Sequence, residues 1–233
     1  MPAPTLSRRL SRTPAGVPLF GDCALAPGRA HEFCGRARHV LALALAAGMT
    51  GPVLWIRLGW HAEKLNADGM RAYLDPARLL FVDARRPEDL LWSMEEALRA
   101  GCVPLVVAEL PEPPPLTPVR RLHLAAEAGG ALAPLPPLGL LLTPGDGGAQ
   151  GVESRWQTDP IPGWAANGPA RLRVTRLRAR MAPPKSWDLS WQGGKLVEAP
   201  APAARAHPHR AGAAGQTRRS PEAATAAQAA SAG

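Results

Sequence analysis

Cysteine is scarce in this chain, tyrosine is almost missing, and no apolar run is long. The three cysteines, Cys23, Cys34 and Cys102, are widely spaced and include no C-x-x-C pair. That argues against a disulfide framework and for reduced, buried thiols in a cytosolic protein. The longest apolar runs reach about ten residues, against the ~20 a membrane-crossing helix needs. Arg8, Arg9 and Arg12 are followed by no hydrophobic region, so no secretory signal is read. Acidic residues are in the minority: 19 Asp and Glu face 27 Lys and Arg, a net charge of +8. Such a balance suits an acidic partner, nucleic acid or protein, as well as a merely basic surface.

Catalytic patterns are missing too. His31-Glu32 does not begin H-E-x-x-H, because Gly35 stands at the second histidine position, and there is no G-x-S-x-G. His207 and His209 are isolated in a low-complexity tail and read as incidental rather than as metal ligands. Cys34, next to Gly35, reads as a core residue rather than a nucleophile. No catalytic, cofactor-binding or metal-ligating residue is assigned.

What the chain does contain is organised around Gly28–Gly48. A short strand (Ala30 to Cys34) runs into a glycine turn at Gly35 and then an apolar segment ended by Gly48. This strand–turn–helix position holds G-x-x-x-x-G-K-[ST] in nucleotide-binding α/β proteins. Here Val40, Leu41 and Ala42 fall where the second glycine, the lysine and the hydroxyl would be. Arg36 and Arg38 read as solvated turn residues, with loose anion holding as the alternative. The Arg38 to Ala47 segment alternates leucine with alanine; alanine content and the closing glycine favour a buried helix.

At 233 residues the chain suits one ordinary domain with an appendage. Residues 1–26 read as a loosely ordered lead-in and 27–196 as the domain. Residues 197–233 form an Ala/Pro/Arg-rich tail too poor in apolar residues to order itself. Strands are expected at Val53–Leu58, Leu79–Asp83, Val103–Ala108 and Leu138–Thr143, with a short helix at Ala67–Tyr73. Pro87–Ala100 is the clearest helix: proline first, Glu88 and Asp89 at its positive end, Arg99 at its negative end, Gly101 beyond. Thr117 is expected to cap a further helix, with Pro118 at its first position, running to about Ala128. Continuous apolar strands alternating with helices predict an α/β fold with a mainly parallel sheet flanked by helices. Arg171–Arg180 and Ser186–Trp191 are expected to form an antiparallel pair at its edge.

Two surfaces stand out. On the Pro87 helix the apolar side is centred between Met94 and Leu98. Trp92 therefore points away, sharing the outer side with Glu95, Glu96 and Arg99 as candidate partner-binding residues. The alternative is a covering layer carrying Trp156 or Trp164. Arg120 and Arg121 read as a solvated pair. In the Arg171 strand, Leu172 and Val174 are out of step with Leu177 and Ala179. A bulge near Thr175-Arg176 would put Arg171, Arg173, Arg176, Arg178 and Arg180 on one face, a ribbon for phosphates or an acidic partner. A charged edge that protects an open sheet is the competing reading. Residues 171–219 carry eleven Lys/Arg against two acids, Asp188 and Glu198.

Across residues 28–191, PGRAHEFCG, VLWIRL, LLWSMEEALRAG, LTPVRRLHLAAEAGG, GLLLTP, SRWQ and RLRVTRLRARMAPPKSWDLSW follow in an order that resembles the ImuA family. These are bacterial accessory proteins of damage-induced mutagenesis, related in fold to RecA and to the SulA division inhibitors. The resemblance covers roughly two thirds of the chain and omits the lead-in and the tail. It implies a RecA-like fold. It also implies that the acid ending the second core strand is replaced by Gly59, and the metal-holding acid ending the fourth by Ala108, with Glu109 one place on. Charge neutralisation and water activation on ATP would then lack an agent. The implied role is a non-catalytic adaptor in SOS-induced translesion synthesis, cytoplasmic and nucleoid-associated when engaged, needing no cofactor. Implied partners are an ImuB-type Y-family polymerase-like protein and an error-prone replicative-type polymerase subunit, with RecA itself a further candidate and direct DNA contact secondary. The alternative is a SulA-like inhibitor of the tubulin-like division protein.

Overall fold

The structure, a computed structural model, describes residues 16–61, 64–161, 171–180 and 182–199. It opens on a hairpin, β1 (Val17–Phe20) and β2 (Cys23–Leu25). β3 (Ala30–Cys34), α1 (Arg38–Ala47), β4 (Val53–Leu58), α2 (Ala67–Arg71) and β5 (Leu79–Ala84) follow. Next come α3 (Pro87–Ala100), β6 (Leu105–Glu109), α4 (Leu116–Gly130) and β7 (Leu138–Leu142). The described chain closes with β8 (Ser154–Pro160), β9 (Arg171–Ala179), β10 (Lys185–Gln192) and β11 (Lys195–Glu198).

Nine of these strands form one sheet in the order β11-β10-β9-β8-β3-β7-β6-β4-β5. From β8 to β5 the pairings are parallel; β9, β10 and β11 are added antiparallel. The expected α/β class and mainly parallel sheet are therefore present. β3 lies between β7 and β8 and is buried at all five residues, the condition of a strand covered on both faces.

One face of the sheet carries α1, α2 and the β1–β2 hairpin, with Trp55, Phe33 and Trp156 in its core. The other carries α3 and α4 over Ile56, Val106, Ala108 and Leu141. α1 is buried at six consecutive residues, Leu41 to Ala46, as a helix apolar all round must be. α3 runs as predicted, from Pro87 at its first position to Gly101 in the left-handed conformation. Among the described residues no helix is long and apolar enough to cross a membrane.

Element ends shift by one or two residues, α4 starting at Leu116 behind Pro115 instead of behind a Thr117 cap. The lead-in, the tail and the sheet edge also differ from the sequence reading. Residues 17–25 are not a loose lead-in: Leu19, Phe20 and Leu25 are buried, and Phe20 meets Trp156 and Trp187 edge-on at 5.9 and 5.3 Å. Three buried apolar side chains are enough to order a short segment when two indoles receive one of them. The predicted tail begins inside β11, where Leu196 is buried and Val197 pairs with Ser190; residues 200–233 lie outside the described residues. β11, rather than the β9–β10 pair, consequently forms that edge of the sheet.

Candidate functional site

The turn after β3 is where a nucleotide would be expected. Gly35 has φ +87°, and a Cβ on it would lie 2.4 Å from the Thr158 carbonyl oxygen. Glycine is thus required both for the turn and for its contact with β8. The next amides are occupied. Gly35 N–H donates to the Gly145 carbonyl at 2.8 Å, Arg36 N–H to Asp159 Oδ1 at 3.0 Å, and Ala37 N–H to the Thr158 carbonyl at 2.8 Å. Successive amides at a helix start are what grip a phosphate in nucleotide sites. Here they fasten the turn to β8 and to the loop after β7, and the Asp159 carboxylate supplies the negative charge. Arg38 bends back to donate to the Gly35 carbonyl at 3.2 Å. The depression beside the turn, about 230 Å³, places Asp146 and Asp159 next to Arg36 and Arg38.

At the adjacent strand ends, Ala108 is fully buried in the sheet, and Gly59 donates its N–H to the Ala84 carbonyl at 2.9 Å. Glu109 accepts from the Trp55 indole at 2.5 Å and lies 3.5 Å from His39 Nε2, the imidazole stacking on Trp55. Burial pushes the Glu109 carboxyl up, but hydrogen bonds from His39 and Trp55, with Arg38 nearby, outweigh it and hold the group below its ordinary value.

His31 and Glu32 do architectural work that the sequence reading missed. Glu32 is fully buried and accepts from Thr143 Oγ1 at 2.7 Å, from the Gly148 and Ala149 amides at 2.8 and 3.0 Å, and from Arg155 Nε. One carboxylate thereby shapes the glycine-rich loop after β7, whose Gly145 in turn meets Gly35. The adjacent His31 and Glu32 in a short strand otherwise of Ala, Phe and Cys were the available signal that polar groups are buried there, though not of their partners. His31 shares a proton with Ser154 (Nδ1 to Oγ, 2.7 Å), and its Nε2–H donates to the Ala26 carbonyl at 3.0 Å. The Trp156 indole also donates to Ser154 Oγ, so the serine hydroxyl gives its own proton to His31. Burial lowers the His31 pKa to about 4. Burial, reinforced by Glu32, pushes the Cys34 thiol up to about 12, the opposite of what a nucleophile needs.

The α3 surface divides. Trp92 is 61% exposed; Trp156 is buried on the other side of the sheet, and Trp164 lies outside the described residues. Glu96 pairs with Arg99 at 2.7 Å on the same exposed side. Glu95, expected there as well, is instead buried, bridging Arg99 at 2.5 Å and Arg121 at 2.8 Å. It is displaced from the outer side because α4 packs against α3 on that flank. Arg121 is correspondingly an interhelical partner rather than half of a solvated pair. Trp92, Glu96 and Arg99 remain an outer patch.

The arginine strand is also corrected. In the β8–β9 pairing Arg155 opposes Arg178 and Trp156 opposes Arg176, so Leu177 is the extra residue. The bulge is real but lies after Arg176. Arg176 therefore stays with Leu172 and Val174 on the α1 face, its guanidinium over the Trp187 and Trp156 rings at 5.2 and 5.6 Å. Arg171, Arg173, Arg178 and Arg180 share the opposite face. Arg173 is engaged bidentately by Asp188 at 2.8 and 2.9 Å, while Arg178 and Arg180 face α4 across a cavity.

Among the described residues no three His, Cys, Asp or Glu side chains converge on a metal position. Compared with known proteins, the chain matches no family model and no curated protein.

Proposed function

We propose that this protein is a non-catalytic, RecA-like adaptor of SOS-induced, error-prone translesion synthesis. In this role it holds an ImuB-type polymerase-like protein and an error-prone polymerase subunit near damaged DNA. The observation that carries the non-catalytic part is the occupied turn. Three consecutive amides at the start of α1 are bonded to Gly145, Asp159 and Thr158, and the lysine and hydroxyl positions hold Leu41 and Ala42. An incoming triphosphate would have to displace those bonds and approach Asp146 and Asp159. Support for the adaptor part is the outer patch of α3, where a large exposed indole sits among charges, the composition of an interface anchor.

Titration calorimetry with ATP and Mg²⁺ should register no binding at millimolar ligand. A micromolar dissociation constant would replace the adaptor with an ATP-driven machine. In the source cell, deleting the gene should abolish damage-induced mutagenesis. Filamentation on overexpression, with mutagenesis intact, would instead favour the SulA-like reading.

A further inference from the structure

Between α4, the segment leading into β8 and the end of β9 lies a cavity of about 480 Å³ that the sequence reading did not foresee. One stripe of α4 forms its wall: Leu116, Arg120, His123, Leu124 and Glu127 recur at helical spacing. Arg178 and Arg180 close the opposite side because the Leu177 bulge turns them toward α4. The two arginines nearest the margins have carboxylate partners: Arg29 pairs with Glu127, and Arg180 lies 3.6 Å from Glu153. Among the described residues Arg120 and Arg178 have none, and both are exposed. His123 is fixed as the neutral form, accepting from the Ala30 amide at 3.3 Å and donating to the Gly151 carbonyl at 3.0 Å. It therefore adds shape and no charge. Leu116, Leu124 and Val152 supply an apolar lining, and Leu124 is 65% exposed.

We infer that this groove is a binding site for an acidic peptide segment of a partner protein, in which carboxylates alternate with aliphatic side chains. Arg120 and Arg178 take the carboxylates as charge-assisted, fork-shaped pairs, and Leu124 with Leu116 takes the aliphatic group. Nucleic acid fits less well. Among the described residues only Arg120 and Arg178 are left to meet a run of phosphates, and no Phe, Tyr or Trp ring lines the cavity to stack a base. The chain's own terminal segments do not carry this chemistry: residues 1–15 hold three arginines and no acid, and residues 200–233 four arginines and one glutamate. The inference rests on the adaptor reading for its setting and names the chemistry of one partner.

The test is fluorescence anisotropy on the full chain with a short fluorescein-labelled peptide of alternating glutamate and leucine. The peptide should bind saturably. Replacing its glutamates by glutamine should weaken it roughly tenfold or more, and so should the double substitution Arg120→Gln with Arg178→Gln. Leu124→Asn should weaken the peptide without altering what little a labelled oligothymidylate binds. Unchanged affinity for the glutamine peptide overturns the inference even if the double variant does not fold. Tighter binding of oligothymidylate, lost in the double variant, overturns it in favour of DNA. Self-association by sedimentation, lost in the same variant, overturns it in favour of a second copy of this chain. Peptide binding that survives alongside normal mutagenesis in a deletion strain would sink the adaptor role and leave the groove standing.

Discussion

At the scale of single residues, the centre of the molecule depends on two polar side chains in an apolar strand. His31 has its pKa lowered from 6.5 to about 4 by burial. The unfolded chain therefore binds this proton more readily between those values. The stability it represents is fully present above pH 6.5 and is lost as pH falls toward 4, about 3 kcal/mol in all. His123, also lowered by burial, acts in the same direction. Urea unfolding followed from pH 7 to pH 4.5 should show this decline, and His31→Gln should flatten it. Glu32 is the harsher case. Glu32→Ala leaves the half-buried Arg155 guanidinium and Gly148 amide and the buried Ala149 amide without their acceptor, so a loss of roughly 3 kcal/mol is expected. Glu32→Gln, which keeps a carbonyl oxygen, should lose less. A Glu32→Ala variant as stable as the parent would show that the loop after β7 is held by something else. Neither role was readable beforehand, because His31 and Glu32 acquire their partners from residues more than a hundred positions away: Ser154, Thr143 and Arg155.

At the scale of elements, α3 and α4 meet most closely through glycine. A Cβ on Gly129 would stand 2.0 Å from the Leu98 carbonyl oxygen and 3.1 Å from Gly101. Gly129→Ala should therefore separate the helices at a loss of about 1–3 kcal/mol. Gly69 in α2 has nothing within 4 Å, so Gly69→Ala there should gain a few tenths to ~1 kcal/mol. Thermal unfolding of the two variants should move in opposite directions. Trp92→Ala removes an exposed side chain and should change stability by less than about 0.5 kcal/mol; under the proposed adaptor role it should also abolish capture of the polymerase-like protein in a pull-down. Legibility at this scale followed local signals. α3 was readable to its ends because proline, two acids and a glycine punctuate it. β8 was not, because its buried alternation of Ser154, Trp156 and Thr158 contains a single large apolar residue. The bulge in β9 was foreseen from its broken pattern. Its position was not, since β8 decides which residue is left over.

At the scale of the whole molecule, the sequence announced a parallel sheet but not its order, which depends on which distant strands pair. One consequence of that order is an exposed edge. β5 ends the sheet with Leu80 48% and Phe81 38% exposed, and the Arg57 guanidinium lies over the Phe81 ring. Such an edge invites pairing with another strand. Leu80→Lys should lower concentration-dependent association, as light scattering would show, with little effect on the thermal midpoint. The tethered turn after β3 has a different consequence. Nucleotide-switched proteins transmit the bound state through loops that order against the γ-phosphate and are released on hydrolysis. With Gly35, Arg36 and Ala37 already bonded to β8 and its neighbouring loop, this chain has no slack there to take up. Deuterium uptake at those three amides should be as slow as in the central strands from the outset, and adding nucleotide should leave it unaltered.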